Sequence, residues 1–204
     1  MEVAMISRYA CLLGLVLMHL AAVPATSQQT HVLLDDAKAL VTEIELSAGQ
    51  TYTVPEDQGG AVWTALDPVV LLETNGGQQK QKRVPAGDAA TVGAGEQVEF
   101  RARRGLPARL VLVKPKMTQQ ELTVEPFVLT GSLEDASDRN ATLLIAISNS
   151  RFRDTRNLGD ESEWKPGKPV TITMRSGSVR WIRSGIHHFK NLGPTAARLV
   201  SIEW

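Results

Sequence analysis

His187 and His188 stand side by side in "WIRSGIHHFKNLG" (181–193), and the only other histidines of the chain are His19 and His31. Imidazole ligates zinc and iron and serves as a general base near neutral pH. Around the pair lie Trp181, Arg183 and Asn191. These offer an indole face for a ring, a guanidinium for a carboxylate and an amide for hydrogen bonding. His187, Trp181, Arg183 and Asn191 therefore form the candidate ligand-binding set. A catalytic zinc or iron site uses about three protein ligands. A metal at His187 would need carboxylates such as Asp135 or Asp138 to complete it. The competing reading of His187 is a core histidine hydrogen-bonded to a neighbour.

Other candidates are weaker. Trp63 and Trp164, like Trp181, could line a cavity for a sugar or aromatic ligand, or simply pack a core or rim. "SRFRDTR" (150–156) alternates charge and reads as a solvated strand face, and "DESE" (160–163) as an open loop. The basic runs "QKQKR" (79–83) and "RARR" (101–104) also read as solvated strand faces. Asn140-Ala141-Thr142 is a glycosylation sequon for a host that glycosylates exported proteins. Phosphate loops, nucleophile elbows and zinc-protease motifs are absent.

The first 27 residues read as a cleaved signal peptide. "MEVAMISR" supplies a basic side chain, Ala10–Ala22 is apolar apart from His19, and "VPATSQQT" brings small residues at Ala25 and Ser27. That apolar run is too short for a comfortable membrane span. Cleavage removes Cys11, the sole cysteine, so the mature chain has no disulfide, thiolate nucleophile or cysteine ligand. The expectation is an exported protein, periplasmic or extracellular, without stable membrane insertion. Lysine plus arginine balance aspartate plus glutamate, 22 against 22, so no global field draws nucleic acid.

The elements that must position these residues are strands. "VTEIELSAGQTYTV", "VVLLET", "QVEF", "ARLVLVKP", "ATLLIAIS", "PVTITM", "SVRWI" and "ARLVSIEW" are short, rich in β-branched residues and punctuated by Gly, Pro or Asn. Two stretches repeat. "AGDAATVGAG" (86–95) matches "SGSVRWIRSG" (176–185), pairing Gly87 with Gly177 and Gly95 with Gly185. "FRARRGLPARLV" (100–111) matches "FKNLGPTAARLV" (189–200), pairing Phe100 with Phe189. A period near 90 suits a duplicated small domain. The repeat also sets strand parity: His187 pairs with Val98 and His188 with Glu99. Val98 and Phe100 share the apolar face, so His187 and Phe189 should face inward and His188 outward with Lys190.

The stretch Gly177, five residues, "RSG", His187, three residues, Asn191 resembles the second conserved motif of the cupin superfamily. Arg183 stands where that motif has proline, and one residue rather than two separates Gly185 from His187. "GDAATVGAGEQVEFRARRG" (87–105) has the same frame. The resemblance implies an all-β bicupin of two tandem antiparallel β-barrels (double-stranded β-helices): barrel one over 30–117, a linker over 118–126 and barrel two over 127–204. Metal-binding cupins add a first motif, His-x-His with a downstream Glu. Its histidine positions fall near Glu56 and Gln58 in copy one and near Ser137 and Arg139 in copy two. None of the four is histidine. The resemblance therefore implies a cupin without metal or cofactor and without catalysis, binding a small ligand or acting structurally, with a homodimer through a sheet edge as a possible assembly. The alternative is a metal-dependent cupin enzyme (a dioxygenase, isomerase or hydrolase) with an unusual ligand set around His187.

Overall fold

The structure, a computed structural model, describes residues 28–75, 77–93, 95–116, 122–131, 134–159 and 163–204, with the side chains at 75 and 134–138 left aside. The expected signal peptide lies outside the described residues, as do 118–121 of the expected linker and 160–162 of the "DESE" loop. The side chains of Asp135 and Asp138 lie outside them too.

Short β-branched runs broken by glycine turns give strands throughout. The N-terminal part forms β1 (Gln29–Asp35), β2 (Ala39–Leu46), β3 (Thr51–Thr53), β4 (Val62–Ala65), β5 (Val69–Asn75), β6 (Gln78–Val84), β7 (Ala89–Thr91), β8 (Gln97–Ala102) and β9 (Ala108–Pro115). The C-terminal part forms β10 (Thr123–Leu129), β11 (Glu134–Arg139), β12 (Thr142–Ala146), β13 (Ser150–Arg156), β14 (Val170–Met174), β15 (Val179–Ile182), β16 (Gly185–Asn191) and β17 (Ala197–Glu203). Because β10 starts at Thr123, residues 123–126, expected in the linker, already belong to the second unit's sheet.

The strands form four antiparallel sheets, ordered β1-β2-β9-β4-β7, β3-β8-β5-β6, β10-β17-β12-β15 and β11-β16-β13-β14. The second half copies the first strand for strand. The order β2-β9-β4-β7 corresponds to β10-β17-β12-β15, and β3-β8-β5-β6 to β11-β16-β13-β14. Among the described residues only β1 is additional. Gly87 and Gly177 take φ of +95° and +87°, which favours glycine at both copies of the turn.

Each sheet pair closes round its own interior. The first barrel is filled by apolar side chains, among them Ile44, Trp63, Leu71, Val98, Phe100 and Leu110. Trp63 meets Phe100 edge to face at 5.2 Å, so it is core packing and not a ligand platform. The second interior holds Phe127, Leu144, Phe152, Ile172, Ile182, Phe189 and Leu199.

A third apolar core lies between the barrels. Val41, Val62, Val111 and Val113 of the first pack against Leu143, Ile145, Val200 and Ile202 of the second. All eight are fully buried. Strands β4 and β12 are therefore buried on both faces, one turned to their own barrel and one to the other. The two units are fused through this seam.

Candidate functional site

The site grows from β16. His187 is 2% exposed, Phe189 is fully buried, and both lie on the inner face of β16. His188 lies outside, half-buried under the indole of Trp164 at a centroid distance of 3.8 Å. Trp164 reaches it from the loop that follows β13 and so lies outside the barrel. Asn157 orders that loop: its Oδ1 accepts from Gly159 N and Lys165 N, at 3.0 and 2.7 Å.

Both ring nitrogens of His187 are engaged. Nδ1 is 2.8 Å from Asp154 Oδ1, and Nε2 is 3.0 Å from the carbonyl oxygen of Arg183. A carbonyl only accepts, so Nε2 carries a hydrogen and donates it. The Nδ1–Asp154 contact then needs one more shared proton, on imidazole or on carboxyl. The dyad ties β13 to β16 and pins the 183–185 turn at the barrel mouth. Phe189 stacks parallel to the imidazole at 5.7 Å, 12° between planes.

Asp154 corrects the reading of "SRFRDTR" as a solvated face. Phe152 and Asp154 lie two apart on β13, so both face inward, and the Asp154 side chain is only 13% exposed. The signal was the parity of Phe152; the alternation of charge concealed it.

Arg139 is the second residue that sequence reasoning left without a role. In the ladder Ser137 stands opposite His187, and in the first barrel Val54 N donates to Val98 O at 2.9 Å. The position facing the second-motif site is thus Ser137 in barrel two and Val54 in barrel one. Counting by sequence had placed the first-barrel pair at Glu56 and Gln58, which fall instead in a short 3-10 turn beyond β3. The Arg139 guanidinium lies over Phe127 and Phe189, at 4.3 and 5.6 Å from their centroids, and Nη1 donates to Glu203 at 2.9 Å. The side chain is 8% exposed. A cation therefore sits inside the second barrel.

The other candidates divide. Trp181 faces away from the second interior, because Ile182 is the residue of β15 in that core. Its indole packs on Trp204 at 4.8 Å, and Nε1 donates to Asp36 Oδ2 at 2.7 Å across the seam. Burial alone would raise the Asp36 carboxyl. The backbone N–H groups of Ala39 and Lys38, the indole and the Lys116 charge together hold it below the ordinary aspartate value. Asn191 lies at the far end of β16 from His187. Its amide closes the following turn, with Nδ2 donating to Thr195 O at 2.8 Å and Oδ1 accepting from Gly193 N at 2.9 Å.

Two adjoining hollows open at the mouth. One of about 440 Å³ is lined by His187, Asp154, Arg156, Lys168, Arg180 and Arg183, with Leu158 and Val170 on its lip. The other, of about 510 Å³, shares Arg156, Trp181 and Arg183 and runs to Asp36 and Lys38 of the first unit. Among the described residues the first hollow thus carries four cationic side chains and one carboxylate, which is already bonded to His187.

No protein-family model and no curated protein matches the sequence. Solved structures do. A conserved protein of unknown function from Pseudomonas aeruginosa PAO1 is 11% identical and superposes with TM-score 0.58, over 88% of this chain and 95% of that one. Oxalate decarboxylase from Bacillus subtilis is 10% identical with TM-score 0.57, over 86% and 74%. A cupin 2 conserved barrel domain protein from Leptotrichia buccalis is 11% identical with TM-score 0.51, over 87% and 89%. The chain has the cupin fold. At these identities the likeness shows the fold alone.

The cupin metal site can be tested on the residues present. Among the described residues no three of His, Cys, Asp and Glu gather as a ligand set. His187 has both nitrogens in hydrogen bonds, and the Arg139 guanidinium lies against Phe189, two residues along the same inner face. Val98 takes the corresponding place in the first cupin unit, within an apolar core. Among the described residues the donor set does not fit a divalent metal.

Proposed function

We propose that the chain is an exported, non-catalytic protein of the cupin fold whose second barrel binds a small acidic ligand without a metal. The observation that carries this reading is the hollow at the mouth of barrel two. Arg156, Lys168, Arg180 and Arg183 surround it, and the one acid among its described residues, Asp154, is committed to His187. Guanidinium forks suit a carboxylate, and the exposed Leu158 and Val170 suit an apolar body behind it. The dyad supports binding over catalysis, because the His187 Nε2 hydrogen is spent on a backbone carbonyl and presents no base to the hollow. For export, the support is the pattern of residues 1–27 alone.

Thermal melting with a panel of aliphatic and aromatic mono- and dicarboxylates tests the reading. A ligand at a hundredfold over its Kd adds about 2.7 kcal/mol, roughly 5–10 °C for a chain of this size. At least one acid should give such a shift, and an Arg156→Gln/Arg183→Gln variant should lose it. A shift that survives in that variant, or none across the panel, contradicts the proposal.

A further inference from the structure

The first barrel carries a separate cationic hollow on its outer face. In the ladder Val70 stands opposite Arg83 on one side and Arg101 on the other, so the three share one face of the sheet. Arg103 and Arg104 follow in the turn that closes β8, and Ala102 N donates to Gln50 O at 2.9 Å, holding the 47–50 turn alongside. The result is a hollow of about 410 Å³ lined by Arg83, Arg101, Arg103 and Arg104, with Val70 as its floor and Gly49 at its edge. By sequence "QKQKR" and "RARR" each read as a solvated strand face. The β5 strand between them brings both to one place.

Arg109 at the seam and Arg139 in the second interior have carboxylate partners. Arg109 has Asp67 and Glu43, and Arg139 has Glu203. Among the described residues no carboxylate lines the arginine hollow or forms a salt bridge with any of the four. Glu99, the next outward residue on β8, stands opposite Leu72, further along the sheet. In a chain whose charges balance overall, this is a local excess of like charge without its counter-ions. Arginine supplies planar forks matched to tetrahedral oxyanions, where lysine would supply point charges.

We infer that this hollow binds a compact polyanion, a ligand bearing several phosphate or sulfate groups. It is independent of the acidic-ligand site at barrel two. Calorimetric titration of the full chain at low ionic strength, with inorganic tripolyphosphate in one arm and sucrose octasulfate in the other, tests it. Saturable binding of at least one probe is expected, and the arm that binds names the group. The Arg83→Gln/Arg104→Gln variant, whose changes are at exposed positions, should weaken it by about tenfold or more. An Arg151→Gln/Arg175→Gln variant, which removes equal charge from the outer face of barrel two, should change it by no more than about twofold. Amide shifts on binding should centre on Gly49, Val70 and Ala102. Failure of both probes to saturate, equal losses in the two variants, or shifts centred on Arg156 and Arg183 would overturn the inference.

Discussion

Arg109 and Arg198 occupy the same place in the two copies of "ARLV", and each reaches across the seam to the other unit's glycine turn. Arg109 Nη2 donates to Ser176 Oγ at 3.2 Å, beside Gly177; Arg198 Nη2 donates to the Ala86 carbonyl at 2.8 Å, beside Gly87. Reciprocity of this kind is what a two-fold interface between identical patches produces, and here it joins two halves of one chain. The copies have diverged in strength. Arg109 also bonds Asp67 at 3.0 Å and faces Glu43 at 3.5 Å, while Arg198 is exposed. Arg109→Ala should therefore cost about 2–3 kcal/mol and Arg198→Ala about 1 kcal/mol by chemical denaturation.

Glu43 gives this network a pH dependence. Burial raises its carboxyl above the ordinary glutamate value, with Arg109 opposing. A carboxyl raised in the folded state contributes stability below its unfolded value and loses it as pH rises through the folded one. A Glu43→Gln variant lacks that loss. Its stability relative to the wild type should improve between about pH 4 and pH 7, as read by denaturant midpoints. A relative decline over that interval would contradict the assignment.

Asp36 behaves oppositely. Its lowered carboxyl contributes stability above the unfolded value, and that contribution disappears as pH falls through the folded one. Asp36→Asn should be less stable than the wild type at neutral pH, with the gap closing in acid. Trp181→Phe, which removes the indole donor to Asp36, should cost about 1–2 kcal/mol at neutral pH.

The seam predicts cooperative unfolding. Ile145 is fully buried in the inter-barrel core, and Ile145→Ala should cost about 2–4 kcal/mol. Tryptophan fluorescence, dominated in the first barrel by Trp63 and at the seam by Trp181 and Trp204, and far-UV circular dichroism should give one coincident transition. Two separated transitions would show that the barrels fold independently.

Strand parity made much of this legible in the sequence. The repeat and the inward Val98–Phe100 pair place His187 inside and His188 outside, because a strand alternates with period two. The seam was less legible, although "LLIAI" carries its signal: an unbroken apolar run marks a strand covered on both faces. Asp154 and Arg139 escaped because a charge is not expected at an inward position until its partner is known, even where parity, as from Phe152 to Asp154, points inward. Asp154 needs His187 and Arg139 needs Glu203, each distant in sequence. Asn191 fits a motif by spacing, yet spacing cannot tell a ligand contact from an amide that closes the next turn.

Arg139 and the His187–Asp154 dyad together stand where cupin metal chemistry would require free donors. Elemental analysis of the full chain, purified without chelators, tests this most directly. Zinc, iron and manganese should each be far below one equivalent, and a chelator should leave the thermal midpoint in place, since loss of a metal bound only to the native state would lower it. A near-equimolar metal that disappears in a His187→Ala variant would contradict the account.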